Sequence, residues 1–246
     1  MNKFIWALLT CLLLFCSGAW AEKLSLATTD WEPIYGRSLP EQGFFTVLSK
    51  QIFKRAGYEV SVTFLPWKRA LEESRSGKYD GLLGAYHTKA RAHKFYYPNP
   101  IYSNHEVFIQ HMGKDIGYTK IEDLKGYSIG GMRGGAQMVE LKKQGFDIRE
   151  TVSDFQSLMK LSSKRVDLVL MGRPQFYYML ESNAKLKSLA GKLKVVEPPY
   201  KSYQLYCPIT KKRMDGKIIV KRFNDALDAM KADGSYDAIL KRFGQI

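Results

Sequence analysis

A regular alternation of strand and helix patterns constrains the fold of this chain more than any other feature of its sequence. Residues 23–28 and Tyr58–Phe64 alternate polar and apolar side chains, which predicts a strand at each. Residues 44–56 place large apolar side chains at helical spacing. A second helix is expected to start at Pro66, and residues 81–86 form a short apolar strand. This order predicts a parallel sheet with crossover helices.

The second half of the chain repeats the alternation between two extended runs, 106–110 and 203–208. We interpret these runs as the places where the chain leaves a first lobe and later returns to it. Further strands are expected at 127–129 and 166–171, and further helices at 136–144, 155–161, from Pro174, at 216–232 and up to Phe243. The sequence therefore predicts an α/β protein in which residues 22–107 and 201–246 form a discontinuous lobe 1 and residues 108–200 form lobe 2.

Residues 1–21 have the pattern of a cleaved secretory signal. Lys3 precedes an apolar run of about 12 residues, which is followed by a small-x-small site that ends at Ala21. A bilayer span needs roughly 20 residues, so this run is too short to be a permanent anchor. We expect a soluble periplasmic chain that starts at Glu22.

The balance of charges and cysteines limits the partners of such a chain. Lys and Arg number 38 against 24 Asp and Glu, for a formal net charge of +14. The basic residues are scattered rather than clustered, and a secreted chain does not meet nucleic acid, so no nucleic-acid partner is expected. Cys11 and Cys16 leave with the signal, so Cys207 has no disulfide partner in the mature chain. We expect a monomer, because the sequence contains no long apolar surface stripe.

Two glycine motifs resemble catalytic signatures but lack the required context. Residues 126–130 (GYSIG) match G-x-S-x-G, yet Ser128 falls inside a strand and all four histidines precede it. Residues 130–135 are glycine-rich, but Ala136-Gln137 follow where a phosphate loop requires Lys-Ser/Thr. This run is either a tight turn without a ligand or a helix start whose N–H groups attract a carboxylate. The histidines have no metal-ligand spacing, and no metal or other cofactor is expected.

Three stretches resemble the periplasmic solute-binding proteins of the polar amino-acid uptake family, bacterial extracellular family 3. They are TTDWEPIYG from residue 28, PWKRALEESRSGKYD from residue 66 and DGLLGAYHTKARAHKFYYPNPIY from residue 80. The similarity continues through DLKG at 123–126, RVD at 165–167 and DGS at 233–235. It implies the type 2 periplasmic binding fold, in which each lobe is a mixed sheet flanked by helices. Two hinge crossings join the lobes, which close over a small solute.

The resemblance also implies a ligand-binding arginine between aromatic walls. Arg91, three residues after Thr88, stands where the family places the arginine that binds the solute carboxylate. A guanidinium suits this task because it offers a planar, bidentate pair of donors. Trp31 and Trp67 are expected to form two walls against the apolar part of the solute.

Four more positions complete the expected contacts. Gly84 and Tyr86 fall where the family presents backbone or hydroxyl groups to the solute. Gly135 and Ala136 match a carboxylate cradle at the start of a helix in lobe 2, where backbone N–H groups are left to bind the anion.

One position departs from the family pattern. Amino-acid binders carry an Asp for the α-ammonium group five residues after the Asp of R-x-D, and here that position is Gly172. Either Glu32 or Asp30 substitutes for this acid, or the solute lacks an α-amino group, or the solute is more anionic. Three arginines expected near one cleft would favour the last alternative: Arg91, Arg133 and Arg173.

These features favour a binding protein rather than an enzyme. It would capture a small polar carboxylate solute, an amino acid or related organic acid, and deliver it to an ABC-type uptake system through an inner-membrane permease. One alternative is a sensory or adaptor protein that contacts a membrane receptor. Another is an enzyme that resembles the cyclohexadienyl dehydratases, with Glu106, Glu32 or Asp30 as its catalytic acid.

Overall fold

Two mixed β-sheets flanked by helices make up the computed structural model, which describes residues 21–246. The predicted secretory signal lies outside these residues apart from Ala21. The strands are β1 (Glu22–Thr28), β2 (Tyr58–Phe64), β3 (Gly81–Leu82), β4 (Ala85–Tyr86), β5 (Phe95–Tyr96), β6 (Tyr102–His111), β7 (Ser128–Met132), β8 (Asp147–Thr151), β9 (Leu168–Gly172), β10 (Leu193–Tyr206) and β11 (Ile209–Thr210). The helices are α1 (Phe44–Arg55), α2 (Trp67–Ser76), α3 (Lys89–Ala92), α4 (Ala136–Lys143), α5 (Asp154–Ser162), α6 (Arg173–Ser182), α7 (Ala184–Lys187), α8 (Gly216–Ala232) and α9 (Ser235–Arg242). Short 3₁₀ helices span Pro40–Gln42 and Ile121–Leu124. Within residues 21–246, no helix combines the length and apolar composition needed to span a bilayer.

The first sheet has the strand order β2-β1-β3-β11-β5. Strand β1 runs parallel to β2 and β3, whereas the returning strand β11 is antiparallel to β3 and β5. Helix α1 buries Phe45, Leu48 and Ile52 at i, i+3 and i+7 in the core of this lobe. The predicted alternation of strands and helices is therefore confirmed here, together with the return of the chain into the first sheet.

The second sheet has the order β4-β10-β6-β9-β7-β8 and contains the two longest strands, β6 and β10. These strands pair antiparallel, with the register shifting between Val196 and Lys201. They coincide with the two extended runs in which we predicted the crossings. The predicted lobe boundaries at 107/108 and 200/201 fall inside β6 and β10, and their exact positions stay a prediction.

The segment 81–86 differs from its prediction as one strand. The chain turns at Gly84, whose φ is 76°, so that β3 joins the first sheet and β4 joins the second. The Tyr35 hydroxyl donates to the Gly84 carbonyl at 2.9 Å, and a Cβ on Gly84 would lie 2.5 Å from that hydroxyl oxygen. Glycine is required here for both its left-handed backbone and its lack of a side chain. The turn carries Tyr86 to the junction of the lobes.

Both lobes fix their first strand through the same pair of hydrogen bonds. In lobe 1, the Asp80 carboxylate accepts from the backbone N–H and hydroxyl of Ser25 at 2.7 and 2.9 Å. In lobe 2, the Asp167 carboxylate accepts from the same two groups of Ser128 at 3.0 and 2.8 Å. Ser128 is thus a strand residue whose hydroxyl donates to an acid, which is the role expected once the hydrolase motif is rejected.

Candidate functional site

A cavity at the junction of the two lobes brings together most of the predicted ligand-binding residues. Its empty space, mouth included, is ≈ 460 Å³. Side chains and backbone from both lobes form its walls. Seven of the nine predicted positions line it: Trp31, Trp67, Gly84, Tyr86, Arg91, Gly135 and Ala136.

Arg91 is held in this cavity by helix α3. The Thr88 hydroxyl caps α3 by accepting from the Arg91 backbone N–H at 3.1 Å. The guanidinium donates through Nη1 to the Tyr86 carbonyl and through Nη2 to the Gly134 carbonyl, both at 2.9 Å. It also lies 5.3 Å from the centroid of the Trp67 ring. These partners are neutral, so they orient the guanidinium but leave its charge uncompensated.

The charge on Arg91 is buried as well as oriented. The residue is 8% exposed, and among the described residues no carboxylate lies within salt-bridge distance of it. Burial lowers the pKa of Arg91 because desolvation disfavours the charged form. A buried cation without an anion is costly, so an anionic group that entered the cavity would stabilise this arginine.

Aromatic rings pack around the cavity and fix its shape. The Trp31 ring lies 5.6 Å from the ring of Tyr35 and 5.7 Å from that of Tyr86. The Tyr86 ring in turn stacks on Tyr203, with centroids 4.5 Å apart. Trp67 donates its indole N–H to the Gly134 carbonyl at 3.2 Å. The predicted aromatic walls are therefore held from behind by other rings and hydrogen bonds.

The start of helix α4 forms part of the lobe 2 wall. Gly135 is its N-cap residue, and Gly135, Ala136 and Gln137 all line the cavity. The first N–H groups of a helix have no acceptor within the helix, and they attract anions. Gly135 and Ala136 therefore lie where the resemblance places them, and their role as a carboxylate cradle stays a prediction.

A buried carboxyl group, Glu106, also faces the cavity. It lies on β6 and is 0% exposed. Its Oε1 accepts from the Tyr86 hydroxyl at 2.7 Å and from Asn104 Nδ2 at 3.3 Å, and its Oε2 accepts from Gln137 Nε2 at 3.4 Å. Burial raises the pKa of Glu106 to about 7, although these hydrogen bonds oppose the shift.

Asp154 contributes a second carboxyl group to the same wall. It is the first residue of α5 and is partly buried. Burial raises the pKa of Asp154 to about 6, against a hydrogen bond from the Trp31 side chain. Sequence reasoning considered Glu106 only as a catalytic acid and missed Asp154. An acid within the apolar run EVFIQ was the available signal for Glu106, whereas Asp154 stands in a polar segment and carried none.

Two predicted arginines lie outside this cavity. Arg173 forms a bidentate pair with Glu197, with N–O distances of 2.8 and 3.0 Å. Arg133 lines a separate surface depression with Pro66 and Lys68. Of the three arginines expected in the cavity, only Arg91 lines it among residues 21–246. Arg173 is paired with Glu197, and Arg133 lines the other depression.

The acids expected to substitute at position 172 are also engaged elsewhere. Asp30 pairs with Arg37 at 2.9 Å, and Glu32 accepts from the Ser38 hydroxyl at 2.6 Å. Both acids line a neighbouring depression instead of this cavity.

The space beside Gly172 is filled by two amide side chains. A Cβ at position 172 would lie 1.7 Å from Gln175 Oε1 and 2.7 Å from Asn104 Nδ2. Any side chain at 172 would have to displace them. Across the part of the chain that the structure describes, no three His, Cys, Asp or Glu side chains are grouped to hold a metal ion.

Comparison with known proteins assigns this fold and cavity to a family. Residues 29–246 match the model of the bacterial extracellular solute-binding proteins, family 3. The chain belongs to this family, and it is a solute-binding protein of two α/β lobes.

Curated relatives and a solved structure agree with this assignment. The chain is 26% identical to the ABC transporter arginine-binding protein 1 of Escherichia coli (strain K12). The alignment spans 245 residues and covers 97% of each chain. The chain is also 26% identical over 231 residues to the arginine-binding extracellular protein ArtP of Bacillus subtilis (strain 168), which covers 90% of this chain and 86% of that protein. The crystal structure of the P235GK mutant of ArgBP from T. maritima superimposes with a TM-score of 0.74 at 19% identity, covering 91% of this chain and 96% of that one. The predicted type 2 binding fold is thereby confirmed, and the relatives are binding proteins rather than enzymes.

Proposed function

We propose that this protein captures an amino acid or a closely related carboxylate between its lobes and presents it to an ABC-type uptake system. The observation that carries this proposal is the buried Arg91, whose charge is uncompensated within the described chain and faces a cavity walled by Trp31 and Trp67. A guanidinium oriented by neutral carbonyls is suited to bind a carboxylate bidentately.

The names of the curated relatives favour one class of solute and one kind of partner. Two curated proteins of similar length are named as arginine-binding, and one of them is named as part of an ABC transporter. This similarity favours uptake over the sensory and dehydratase alternatives. The cavity volume and its paired aromatic walls suit a small solute with an apolar stem.

Cellular location and assembly complete the proposal. The predicted signal at residues 1–21 and the family of extracellular binding proteins support a periplasmic location. We propose that the protein acts as a monomer that contacts an inner-membrane permease when its lobes are closed.

Thermal melting of the purified protein tests this function. A panel of L-amino acids, their 2-hydroxy analogues, dicarboxylates and amines would be screened. A solute at about 100 times its dissociation constant stabilises a fold by about 2.7 kcal/mol, which corresponds to a rise in Tm of roughly 5–11 °C for a chain of this size.

Arg91→Ala should weaken binding of the stabilising solute by about 10- to 150-fold, because charge-assisted hydrogen bonds contribute about 1.5–3 kcal/mol. Arg133→Ala is the matched control, since it removes an arginine outside the cavity. A panel without any stabilising solute, or an Arg91→Ala variant that binds as tightly as the wild type, would contradict the proposal.

A further inference from the structure

Buried polar atoms without partners are concentrated near Glu106. Of the five such side-chain atoms in residues 21–246, four are amide atoms of Asn104, Gln137 and Gln175. Asn104 and Gln137 donate their N–H groups to Glu106, so their unpartnered oxygens lie close to its carboxyl group. Gln175 lies beside Gly172, the partner of Glu106 on β9. Buried polar atoms are almost always hydrogen-bonded in folded proteins, so this cluster marks a place for an additional donor.

The groups that contact Glu106 are neutral. Its carboxyl oxygens accept from the Tyr86 hydroxyl and from the amides of Asn104 and Gln137. Among the residues that the structure describes, no cation lies within salt-bridge distance of it. The Glu106 carboxylate could therefore pair with a cation that comes from outside the chain.

The strands and helices packed against Glu106 also place no cation beside it within the described residues. The cross-strand partners of Glu106 are Gly172 on β9 and Lys201 on β10. Lys201 directs its ammonium group to Glu140, at 3.0 Å. The other charged group that acts on Glu106 is Asp154 of α5, whose negative charge opposes ionisation of Glu106.

Tyr86 connects the two charged ends of the cavity. Its backbone carbonyl accepts from Arg91, and its hydroxyl donates to Glu106. The cavity thus presents a cation at one end of this residue and a carboxyl group at the other. A ligand that carries both a carboxylate and an ammonium group is complementary to both ends.

We propose that Glu106 binds the ammonium group of the solute and releases its own proton to solvent when the solute enters. This inference rests on the proposed function and names the residue that selects for a positive group. The three N–H donors of an ammonium match the Glu106 carboxylate and the unpartnered oxygens of Asn104 and Gln137. The carboxyl O–H bond of Glu106 breaks, the proton leaves to buffer, and the ammonium keeps its protons.

Burial of Glu106 keeps part of its carboxyl groups protonated before the solute binds. Its pKa of about 7 leaves roughly half of the molecules protonated at neutral pH. An ammonium at hydrogen-bond distance favours the ionised form, so binding should tighten as the pH rises. Between pH 6 and pH 8, the affinity should increase by about 10-fold.

Calorimetry with L-arginine, L-lysine and L-glutamine as probes tests this inference. Each would be titrated at pH 7 in phosphate and in Tris, whose heats of protonation differ. The buffer dependence of the heat should correspond to release of about half a proton per bound probe.

Glu106→Gln should abolish most of this release and weaken binding by about 10- to 150-fold, while the 2-hydroxy analogues lose little. Glu32→Gln is the matched control, since Glu32 lies outside the cavity. The pH dependence of wild-type binding keeps the test valid if the Glu106→Gln variant does not fold.

The outcomes separate the two proposals. If no probe or panel compound binds the wild type, the proposed function fails. If a probe binds and Glu106→Gln leaves both affinity and proton release unchanged, the function stands and the assignment of Glu106 is wrong. Equal losses for an amino acid and its 2-hydroxy analogue would also overturn the assignment.

Discussion

Glu106 should make the protein less stable at neutral pH in the absence of solute. Its pKa is about 7 in the fold and about 4.3 in an unfolded chain, so the folded state binds its proton more tightly. A raised folded pKa contributes stability that is fully present below the unfolded pKa and is lost as the pH rises through about 7. The free energy of unfolding of Glu106→Gln should therefore equal that of the wild type near pH 4 and exceed it by about 3–4 kcal/mol at pH 8.

Urea unfolding of both proteins between pH 4 and pH 8, without solute, measures this difference. Asp154→Asn offers a comparison, because the pKa of Asp154 is about 6 and its effect should end at lower pH. Curves for the wild type and Glu106→Gln that stay parallel over the whole range would show that burial of this carboxyl group has no such cost.

Residues with local sequence signals could be placed in the cavity without a structure. Arg91, Trp31 and Trp67 lie within the short stretches that carry the resemblance to the family, and the resemblance implied their roles. The surroundings of Glu106 could not be predicted in this way. They depend on the register of β6 with β9, strands about 60 residues apart in sequence, and a one-residue shift would turn Glu106 to the other face.

At the scale of elements, the cap of α3 should matter more for binding than for folding. Thr88→Ala removes the hydroxyl that accepts from the Arg91 N–H, at a cost of about 1 kcal/mol. Helix α3 has four residues and carries Arg91, so this loss should loosen the guanidinium directly. We expect the dissociation constant to rise by about 5-fold, with a fall in Tm of at most about 4 °C.

Binding calorimetry and thermal melting of the same samples measure the two effects. Thr88→Ser keeps the hydroxyl and should restore wild-type affinity. A variant that loses Tm but keeps its affinity would mean that α3 is positioned by its packing rather than by its cap.

Elements with strong periodicity were predicted correctly, and the exceptions have physical causes. Helix α1 and strand β2 match their predictions because one face of each packs on the core. Strand β8 was missed because it is an edge strand with the charged sequence DIRET, and charged residues protect such edges. The division of 81–86 into β3 and β4 depends on the left-handed turn at Gly84, which hydrophobic periodicity does not report.

At the scale of the whole molecule, two hydrogen bonds converge on one carbonyl of lobe 2. The Gly134 carbonyl accepts from the Trp67 indole N–H at 3.2 Å and from Arg91 Nη2 at 2.9 Å, and both donors belong to lobe 1. Hydrophobic patterns predicted the lobes and the crossings, but a contact between lobes depends on their closed arrangement. Because Arg91 also lines the cavity, we expect these hydrogen bonds to couple binding of a solute to closure of the lobes.

Trp67→Phe should shift this equilibrium towards an open form while keeping an aromatic wall. The variant loses one hydrogen bond, and the Gly134 carbonyl keeps Arg91 as its donor, so the cost should be about 0.5–1.5 kcal/mol. The dissociation constant should therefore rise by about 2- to 12-fold. Small-angle scattering should give a larger radius of gyration for the variant than for the wild type at subsaturating solute, and equal radii once both are saturated. Equal radii and equal affinities at every concentration would mean that closure depends on the solute contacts alone. The proposed contribution of these interlobe hydrogen bonds to closure would then be wrong.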